Sequence, residues 1–380
     1  MGKSIHQFIK YAVIILIAVT CKKSYQPPAI TAINNFLVVD GNINTAPASA
    51  TTITLSRARR LIDTVTSIPE LHAQVFIENN SGIKYLLQEM GGGKYTSDQL
   101  TLNGSDTYRL DITTANGRNY QSEFVPVIQT PAIDSLNWKR EKDVTVYVNT
   151  HDPQNDTRYY RWEYEETWEY HSFYETILGT SNGRIFYRDS ITQAFKCWSN
   201  SASTDIILGS SVKLSEDVIS NIPIAVVPEN SPKINFRYGI LAKQYGLTKE
   251  AYAYWQILQK STQQLGTLFD AQPSQLAGNI HSIENPTEPV IGYISASSIQ
   301  QKRMFINNKQ LDNWHGVASG SICDISFIPQ DPNPSNYLIF HYSDTTYGAY
   351  YFVTGGIAIT KKTCLDCTLA GGSNTKPNFW

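Results

Sequence analysis

The chain has 380 residues, a formal net charge of −2, and 23 tyrosines and 7 tryptophans against 3 methionines. This length suggests two or three domains, and positive charge gathers only in short clusters such as 57–60, which argues against nucleic acid as a partner. The many tyrosine, threonine, valine and isoleucine residues favour β-strands. Dense aromatic residues suit sheet packing first and a sugar-binding surface second.

The N-terminal segment 1–20 has the pattern of an export signal. Two lysines precede the apolar run 11–19, which is followed by Thr20 and Cys21. A positive start and a short apolar stretch predict a secretory signal, and the stretch is shorter than the roughly 20 residues that a membrane-spanning helix needs. Because a cysteine closes the run, we expect a lipoprotein cleavage site with the lipid on Cys21.

Thr20 departs from the small residue that usually precedes a lipidated cysteine. The alternatives are therefore an ordinary secretory signal that is cut elsewhere and an uncleaved anchor. On the preferred interpretation, segment 21–30 is a short tether between the lipid and an exported body. Pro27 and Pro28 and the scarcity of apolar residues support this interpretation.

Segment 31–131 is predicted to form an Ig-like or transthyretin-like β-sandwich. Apolar and polar residues alternate along 108–113 and again along 120–124, and the Asn-Gly pair at 116–117 favours a tight turn between them. Short strands, frequent turn signals and no helical stretch are typical of a sandwich.

Segment 132–380 is predicted to be a larger, mixed and mostly β domain that starts with the rhythm of a fibronectin type III domain. Its most prominent element is a helix over 248–265, with Thr248 as its N-cap. Gly266 is expected to end the helix. Three-and-four spacing predicts one mostly buried stripe: Ala251, Trp255, Leu258, Thr262 and Leu265. The aromatic C-terminal residue, Trp380, is predicted to dock on the body.

The cysteines predict a pinned C-terminal tail. If Cys21 carries lipid, four cysteines are left, and an even number in an oxidising compartment suggests two disulfides with three possible connectivities. The four are Cys197, Cys323, Cys364 and Cys367. The preferred pattern links the C-terminal pair to the other two, and the competing pattern joins the C-terminal pair locally. A redox site and a zinc site are weaker alternatives, since no helix start and no fourth nearby ligand are indicated.

No catalytic, cofactor-binding or metal-binding residue is predicted. We interpret an acidic cluster as a solvated strand face and not as a glycosidase pair: Glu163, Glu165, Glu166 and Glu169. The oxygen-rich segment 152–156 is interpreted as a hairpin turn and not as a calcium loop. Zinc-protease, serine-hydrolase and phosphate-loop motifs are absent from the sequence.

A series of short segments, in one order, covers most of the predicted mature chain. They are Phe36-Leu-Val-Val-Asp-Gly41, Thr52-Ile-Thr-Leu-Ser-Arg57, Tyr159-Tyr-Arg-Trp-Glu163, Cys197-Trp198, Gln244-Tyr245, Tyr254-Trp255, Gln272-Pro-Ser-Gln-Leu-Ala-Gly-Asn279, Glu288-Pro-Val-Ile-Gly-Tyr293, Cys364-Leu-Asp-Cys367 and Pro377-Asn-Phe-Trp380. The series resembles exported lipoproteins of Bacteroidota that are catalogued as domain of unknown function 4249. The resemblance implies an envelope lipoprotein, often encoded beside a TonB-dependent outer-membrane receptor. It implies no established activity and offers no catalytic residues.

Together these observations predict a non-enzymatic protein, lipid-anchored at the outer membrane, that helps a TonB-dependent receptor to capture or pass a glycan or peptide ligand. The side of the membrane is left open. The alternative is a surface glycan-binding or adhesive module with an exposed aromatic strip, for which Trp138, Trp168 and Trp314 are the residues to locate. A hydrolase ranks third, because it would require remote carboxylates or histidines to converge in a cleft.

Overall fold

The computed structural model describes residues 36–58, 67–181, 184–189, 194–263, 278–316, 323–329 and 346–380. The predicted signal, Cys21 and the predicted tether lie outside these residues. The described chain is mainly β, as predicted, with one α-helix among several sheets. Within the same residues, no helix has both the length and the apolar character needed to cross a membrane.

Twenty-five strands make up most of the described chain. The first ten are β1 Leu37–Gly41, β2 Ile43–Asn44, β3 Thr52–Ala58, β4 Ser67–Pro69, β5 Gln74–Asn79, β6 Lys84–Gly91, β7 Lys94–Ser97, β8 Thr107–Thr113, β9 Asn119–Ser122 and β10 Val125–Ile128. The next nine are β11 Ile133–Arg140, β12 Val144–Asp152, β13 Tyr159–His171, β14 Leu178–Ser181, β15 Arg184–Tyr187, β16 Lys196–Ala202, β17 Ile207–Ser210, β18 Asp217–Val227 and β19 Arg237–Leu247.

One α-helix, α1, spans Lys249–Gln263. The strands after it are β20 Ile280–Ser282, β21 Ala296–Ser297, β22 Gln300–Asn307, β23 Ser326–Pro329, β24 Tyr347–Val353 and β25 Gly356–Lys361. Short 3₁₀ turns occupy Pro232–Ile234, Asn308–Gln310, Lys362–Cys364 and Cys367–Ala370.

The first sheet curls back on itself. Its strand order is β1-β3-β7-β6-β5-β8-β10-β21-β2, so β1 and β2, which follow each other in the chain, lie at its two ends. The predicted hairpin over 108–124 is confirmed, because β8 pairs with β9 in antiparallel register. Tyr108, Leu110 and Ile112 are fully buried, since alternate residues of a strand face one side.

The segment between α1 and β22 completes this first core. β20 pairs with β9, and β21 pairs in parallel with β10 and β2. Ile280, Val290, Ile294 and Ala296 pack into the same cluster as the strands of the N-terminal sheet. The two cores therefore do not follow a linear division at residue 131, because part of the range 132–380 returns to the first core. Such a return is set by long-range strand pairing, which local sequence patterns do not reveal.

The second core lies between two sheets. One has the order β11-β12-β18 and the other the order β16-β13-β19-β22, with β17 also paired to β13. Val144, Val146 and Val148 face this core, as their alternation indicates, and Trp162 and Tyr160 on β13 are fully buried in it. β13, which pairs with three other strands, is the central element of this unit.

A stacked arginine fastens α1 to this unit. The Arg161 guanidinium lies 4.5 Å from the ring centroid of Tyr245 and 4.1 Å from that of Trp255. Its Nη1 donates to Glu163 Oε1 at 2.7 Å, and the Tyr245 hydroxyl donates to Glu163 Oε2 at 2.7 Å. Burial raises the pKa of Tyr245 above its ordinary value, so this hydroxyl stays a donor. Aromatic faces on both sides and a paired carboxylate stabilise the buried cation.

The predicted helix is present, but its buried stripe is partly wrong. Thr248 Oγ1 accepts the Ala251 N–H at 3.2 Å, as the predicted cap requires. The buried residues are Ala251 and Tyr254, while Thr262 is exposed. The ring of Tyr254 packs 5.3 Å from that of Tyr293, so the helix turns this side chain inward. The predicted positions 265 and 266 lie outside the described residues.

The three tryptophans considered for a glycan strip belong to the second core. Trp314 is 2% exposed, and Trp138 and Trp168 are half-buried against the same cluster. The idea of an exposed strip at these residues is therefore wrong. Their large apolar rings are used for packing between the two sheets.

A small third sheet, β23-β25-β24, packs beside the hairpin β14-β15. Its inner residues form a separate cluster: Leu178, Ala349, Ile357 and Ile359. On its other face Phe327 and Tyr351 are paired across Ala358 and are 54% and 44% exposed.

A buried glutamine, Gln244, connects the second core to the chain that leaves the first. The Trp162 indole donates to Gln244 Oε1 at 2.8 Å. Gln244 Nε2 donates to the Pro131 carbonyl at 2.7 Å and to Thr150 Oγ1 at 3.0 Å. Without the amide, the Trp162 indole would lose its acceptor and the Pro131 carbonyl a donor, while the Thr150 hydroxyl would keep its bond to the Ala132 carbonyl.

We expect Gln244→Leu to lower the free energy of unfolding by about 2–4 kcal/mol, because a buried donor and two acceptors lose a hydrogen bond. Urea denaturation followed by circular dichroism measures the change. Gln88→Leu, at an exposed strand position, is the matched control and should change it by less than about 0.5 kcal/mol. Equal midpoints for the two variants would contradict the role given to Gln244.

Candidate functional site

The four predicted disulfide cysteines come together in two pairs. Cys197 lies opposite Cys367 and Cys323 opposite Cys364, each with 5.8 Å between Cα atoms. This arrangement joins the C-terminal pair to the two upstream cysteines, as in the preferred sequence-based pattern, and not to each other. The first bond spans 170 residues of sequence and the second 41.

Beyond Cys367 the C-terminal tail is fastened to the outer face of the five-stranded sheet. Ser373 and Trp198 exchange two backbone hydrogen bonds, of 2.8 and 2.9 Å. The Tyr170 hydroxyl donates to the Cys367 carbonyl at 2.6 Å. The start of the tail is thus held against the edge strand β16 by one covalent bond and by hydrogen bonds.

The end of the tail is held by aromatic contacts, and the predicted docking of Trp380 is confirmed. Its ring packs edge-on against Phe305, with 5.4 Å between centroids, and its indole donates to Glu169 Oε2 at 3.3 Å. The Arg237 guanidinium lies 4.0 Å from the Phe305 centroid and 5.0 Å from that of Trp380.

Glu169 collects three partners at this docking point. Besides Trp380, it contacts His171 Nε2 at 2.9 Å and Lys196 Nζ at 3.1 Å. Burial acts to raise the pKa of the Glu169 carboxyl, but the hydrogen bonds from His171, Lys196 and Trp380 outweigh it and hold the pKa below its ordinary value. The carboxylate is therefore ionised where it receives the tail.

Between the tail and the sheet runs a groove of about 740 Å³, here called the tail groove. It is lined by Glu165, Glu166, Thr167, Trp198, Ser199, Asn200, Ser201, Ala202, Arg303, Ser373, Thr375, Lys376, Pro377, Asn378 and Phe379. Most of these side chains offer hydroxyl, amide or charged groups, and Phe379 and Pro377 add apolar surface. The lining of the tail groove is therefore mostly polar.

Arg303 is the distinctive residue of the tail groove. Its guanidinium lies 3.6 Å from the ring centroid of Phe379. Among the described residues it has no side-chain hydrogen bond and no ion pair. Burial lowers the pKa of Arg303, opposed by the negative charge of Glu165. Lys376, also in the groove, is exposed and likewise without an ion pair in the described chain.

The acidic cluster of β13 is paired, and its interpretation as a solvated face needs correction. Glu166 is 4% exposed and bonds Lys233 and the Tyr238 hydroxyl. Only Glu165 is exposed, and Lys243 Nζ lies 2.5 Å from it. Even-numbered residues of β13 face the core, so strand alternation turns Glu166 inward. An ion pair compensates that burial.

The predicted turn at 152–156 has its capping carboxylate in place. Asp152 accepts the backbone N–H groups of Gln154, Asp156 and Thr157 at 2.8–3.0 Å. Burial acts to raise the pKa of Asp152, but these N–H groups hold it below the ordinary value. Across the described residues, no group of three or more histidine, cysteine or acidic side chains is arranged to hold a metal ion.

A second groove, of about 430 Å³, lies on the first sheet and differs in its charges. Its cations face carboxylates: Arg57 Nε lies 2.6 Å from Glu70, and Arg118 Nη1 lies 3.3 Å from Glu288. Charge in this groove is therefore balanced from within the chain. The tail groove differs because two of its cations, Arg303 and Lys376, lack that balance.

A family model described as domain of unknown function (DUF4249) matches residues 22–303, well over half of the chain. The chain belongs to this family. The match ends at Arg303, so the tail that walls the groove follows the matched region. A search of curated proteins finds no match.

Among solved structures, the chain is similar to a DUF4785 family protein from Legionella pneumophila. The two are 10% identical, and the match covers 55% of this chain and 52% of that one, with a TM-score of 0.19. The match thus spans about half the length of that protein.

Sequence reasoning did not single out Arg303. Because side chains alternate along a strand, Arg303 lies on the face of β22 opposite to the core residue Ile306. Only the folded chain shows that no carboxylate forms an ion pair with this arginine. Trp198 and Phe379 belonged to segments that resemble the family, although nothing in the sequence placed them in one groove.

Replacing Cys197 and Cys367 by serine together should release the tail. Disulfides that close long loops contribute about 2–5 kcal/mol, chiefly by restricting the unfolded chain. We expect a lower urea midpoint and faster amide hydrogen exchange over 372–380, measured by mass spectrometry. The paired variant Cys323→Ser with Cys364→Ser serves as control and should speed exchange in the third sheet more than in the tail. The same tail exchange in both double variants would rule out this role.

Glu169 should make tail docking sensitive to acid. Its folded pKa lies below the ordinary 4.5, so its stabilisation is complete above that value and is lost as the pH falls through the lower folded pKa. In the wild type, protection of amides 378–380, corrected for intrinsic exchange, should therefore drop as the pH falls below 4.5. Glu169→Gln should already show less protection at pH 7 and change less with pH. Glu250→Gln, on the exposed start of α1, should behave like the wild type.

Proposed function

We propose that this protein is a lipid-anchored, non-enzymatic component of the outer membrane that captures a ligand in the tail groove for a TonB-dependent receptor. The observation that carries the proposal is the tail groove itself. It combines polar side chains with an arginine that forms no ion pair within the described chain. Such a site favours recognition of a ligand.

The charges near the groove support binding over hydrolysis. A glycosidase needs two carboxyl groups on opposite sides of the scissile bond, one of them able to give up a proton. Glu165 and Glu166 instead pair with Lys243 and Lys233. Both carboxylates are thus engaged in ion pairs with lysines of the chain.

Membrane attachment rests on the leader and on Cys21. Fifteen residues lie between Cys21 and Leu37, where β1 begins, and a fully extended chain from one to the other reaches about 55 Å at most. A body on such a tether stays close enough to the membrane to meet a receptor embedded in it. The family resemblance, which implies receptor genes nearby, supports the same partner.

The second candidate is a surface glycan-binding or adhesive module. The specific observation in its favour is the outer face of the third sheet, where Phe327 and Tyr351 are exposed on either side of Ala358. Aromatic faces on neighbouring strands can stack on sugar rings. This candidate requires binding at that face and not at the tail groove.

Affinity purification at native expression from solubilised outer membranes tests the first candidate. We expect a TonB-dependent receptor to co-purify in near-stoichiometric amount and to be identified by mass spectrometry. A fatty-acid probe should label the wild type. Cys21→Ser, the matched control, should lose the label, leave the membrane fraction and recover less receptor. Repeated absence of any such receptor, with the labelled protein intact, would refute the partnership.

A further inference from the structure

Arg303 and Arg237 are partly buried arginines that lie against aromatic rings without a hydrogen bond or ion pair in the described residues, and of these two only Arg303 lines the tail groove. Arg161 pairs with Glu163, Arg109 pairs with Glu78, and Arg57 pairs with Glu70. Arg303 is held against Phe379 in the same way, but its guanidinium meets no acceptor from the described residues. The three paired arginines show how a carboxylate within the chain can compensate a partly buried guanidinium.

The Arg303 guanidinium is partly buried and still reaches water, since none of its nitrogens is among the buried atoms that lack a partner. Contact with the Phe379 ring contributes about 0.5–2 kcal/mol and holds the guanidinium beside the groove. Its N–H groups are therefore free to exchange water for a charged acceptor. The guanidinium is thus positioned to gain from an acceptor that comes from outside the chain.

The chemistry of that acceptor follows from arginine geometry. A guanidinium offers parallel N–H groups that match the two oxygens of a carboxylate, and such bidentate pairs are the stronger hydrogen bonds. Lys376 supplies a second positive charge to the same groove. The nearby acids Glu165 and Glu166 form ion pairs with Lys243 and Lys233, and neither forms an ion pair with Arg303, although the negative charge of Glu165 also acts on it.

The remaining lining suits a ligand rich in hydroxyl groups. Hydroxyl and amide side chains border the groove on both sides: Ser199, Asn200, Ser201, Thr375 and Asn378. The indole N–H of Trp198, a groove residue, is buried and has no hydrogen-bond partner in the described chain. Pro377 and the half-exposed Phe379 present apolar surface beside these polar groups. Sugar rings combine hydroxyl edges with apolar faces, and acidic sugars add the carboxylate.

We propose that the tail groove binds an acidic oligosaccharide, with a sugar carboxylate held by Arg303. The proposal rests on the proposed function in taking this groove as the capture site. Phe379 keeps the guanidinium in place from the tail side, and Lys376 adds affinity for a charged chain without fixed geometry. Arg303 is thereby a specificity residue, which separates acidic from neutral sugars.

Isothermal titration calorimetry of the full chain in detergent with tetragalacturonate tests this inference. The matched probe is the fully methyl-esterified tetramer, which keeps the sugar backbone and loses the charges. We expect the acidic tetramer to bind at least tenfold more tightly than the ester. Its affinity should also fall as sodium chloride rises, because exposed charge pairs are screened.

Arg303→Gln should weaken tetragalacturonate binding by about tenfold to a hundredfold, as expected for loss of a charge-assisted bond. Arg303→Lys should recover part of the affinity, because it restores charge but not the bidentate fork. Arg140→Gln is the matched control, since Arg140 also stacks on an aromatic ring, Trp314, but lies outside the groove. It should bind like the wild type.

Four results would overturn the inference. Three are equal affinity for the acid and its ester, no binding of either below 1 mM, and unchanged binding by Arg303→Gln. The fourth is a clear preference for a hexaglutamate peptide, which would assign the groove to acidic peptides. Failure of the receptor partnership is distinguishable. In that case tetragalacturonate still binds through Arg303, while no receptor co-purifies with the wild type. The converse result, a co-purifying receptor without tetragalacturonate binding, removes the ligand class alone.

Discussion

The bond between Cys197 and Cys367 is the constraint on which the tail groove depends. It holds the start of the tail against β16, and the contacts of Trp380 with Phe305 and Glu169 hold its end. A tail of this kind, rich in glycine, serine and asparagine, has little apolar surface with which to fix its own position. Two anchors, one covalent and one aromatic, convert it into a wall.

β13 supplies the other wall and shows how strand alternation separates residues that face the core from residues that face the tail. Its inward residues, Trp162 and Glu166, satisfy the core through Gln244 and Lys233. Its outward residues, Glu165 and Glu169, meet Lys243 and the tail. One strand therefore carries both the interior of the second unit and the surface on which the tail lies. Changes in its register would exchange these roles, because a shift by one residue reverses the two faces.

Parts of this arrangement follow from sequence alone and parts do not. Alternation placed Val144, Val146 and Val148 in a core, and the aromatic terminus was expected to dock. Both features depend on local chemistry, namely strand period and the burial of a large ring. The return of Ile280 to the first core depends instead on pairing between distant strands. A lone sequence carries no local signal for such pairing.

The ion-pair partners of the charged residues could not be predicted from the sequence for a different reason. The acids of β13 are close together along the chain, so they were interpreted together, yet their partners come from separate places. Glu163 meets Arg161 on β13 itself, Glu165 meets Lys243 on β19, Glu166 meets Lys233 in a 3₁₀ turn, and Glu169 meets the tail. The solitary Arg303 is the opposite case, because its significance is an interaction that the folded chain does not provide. Both the pairing of the acids and the lack of an ion pair at Arg303 arise only when the fold brings distant residues together. For that reason the candidate site could not be predicted from the sequence.

The central claim is that Arg303 recognises a carboxylate in the tail groove. The most direct measurement is a crystal structure of the protein grown with tetragalacturonate. The account predicts one sugar carboxylate within about 3 Å of the Arg303 guanidinium, between Phe379 and the edge of β16. A sugar stacked on Phe327 and Tyr351, with the tail groove empty, would contradict it.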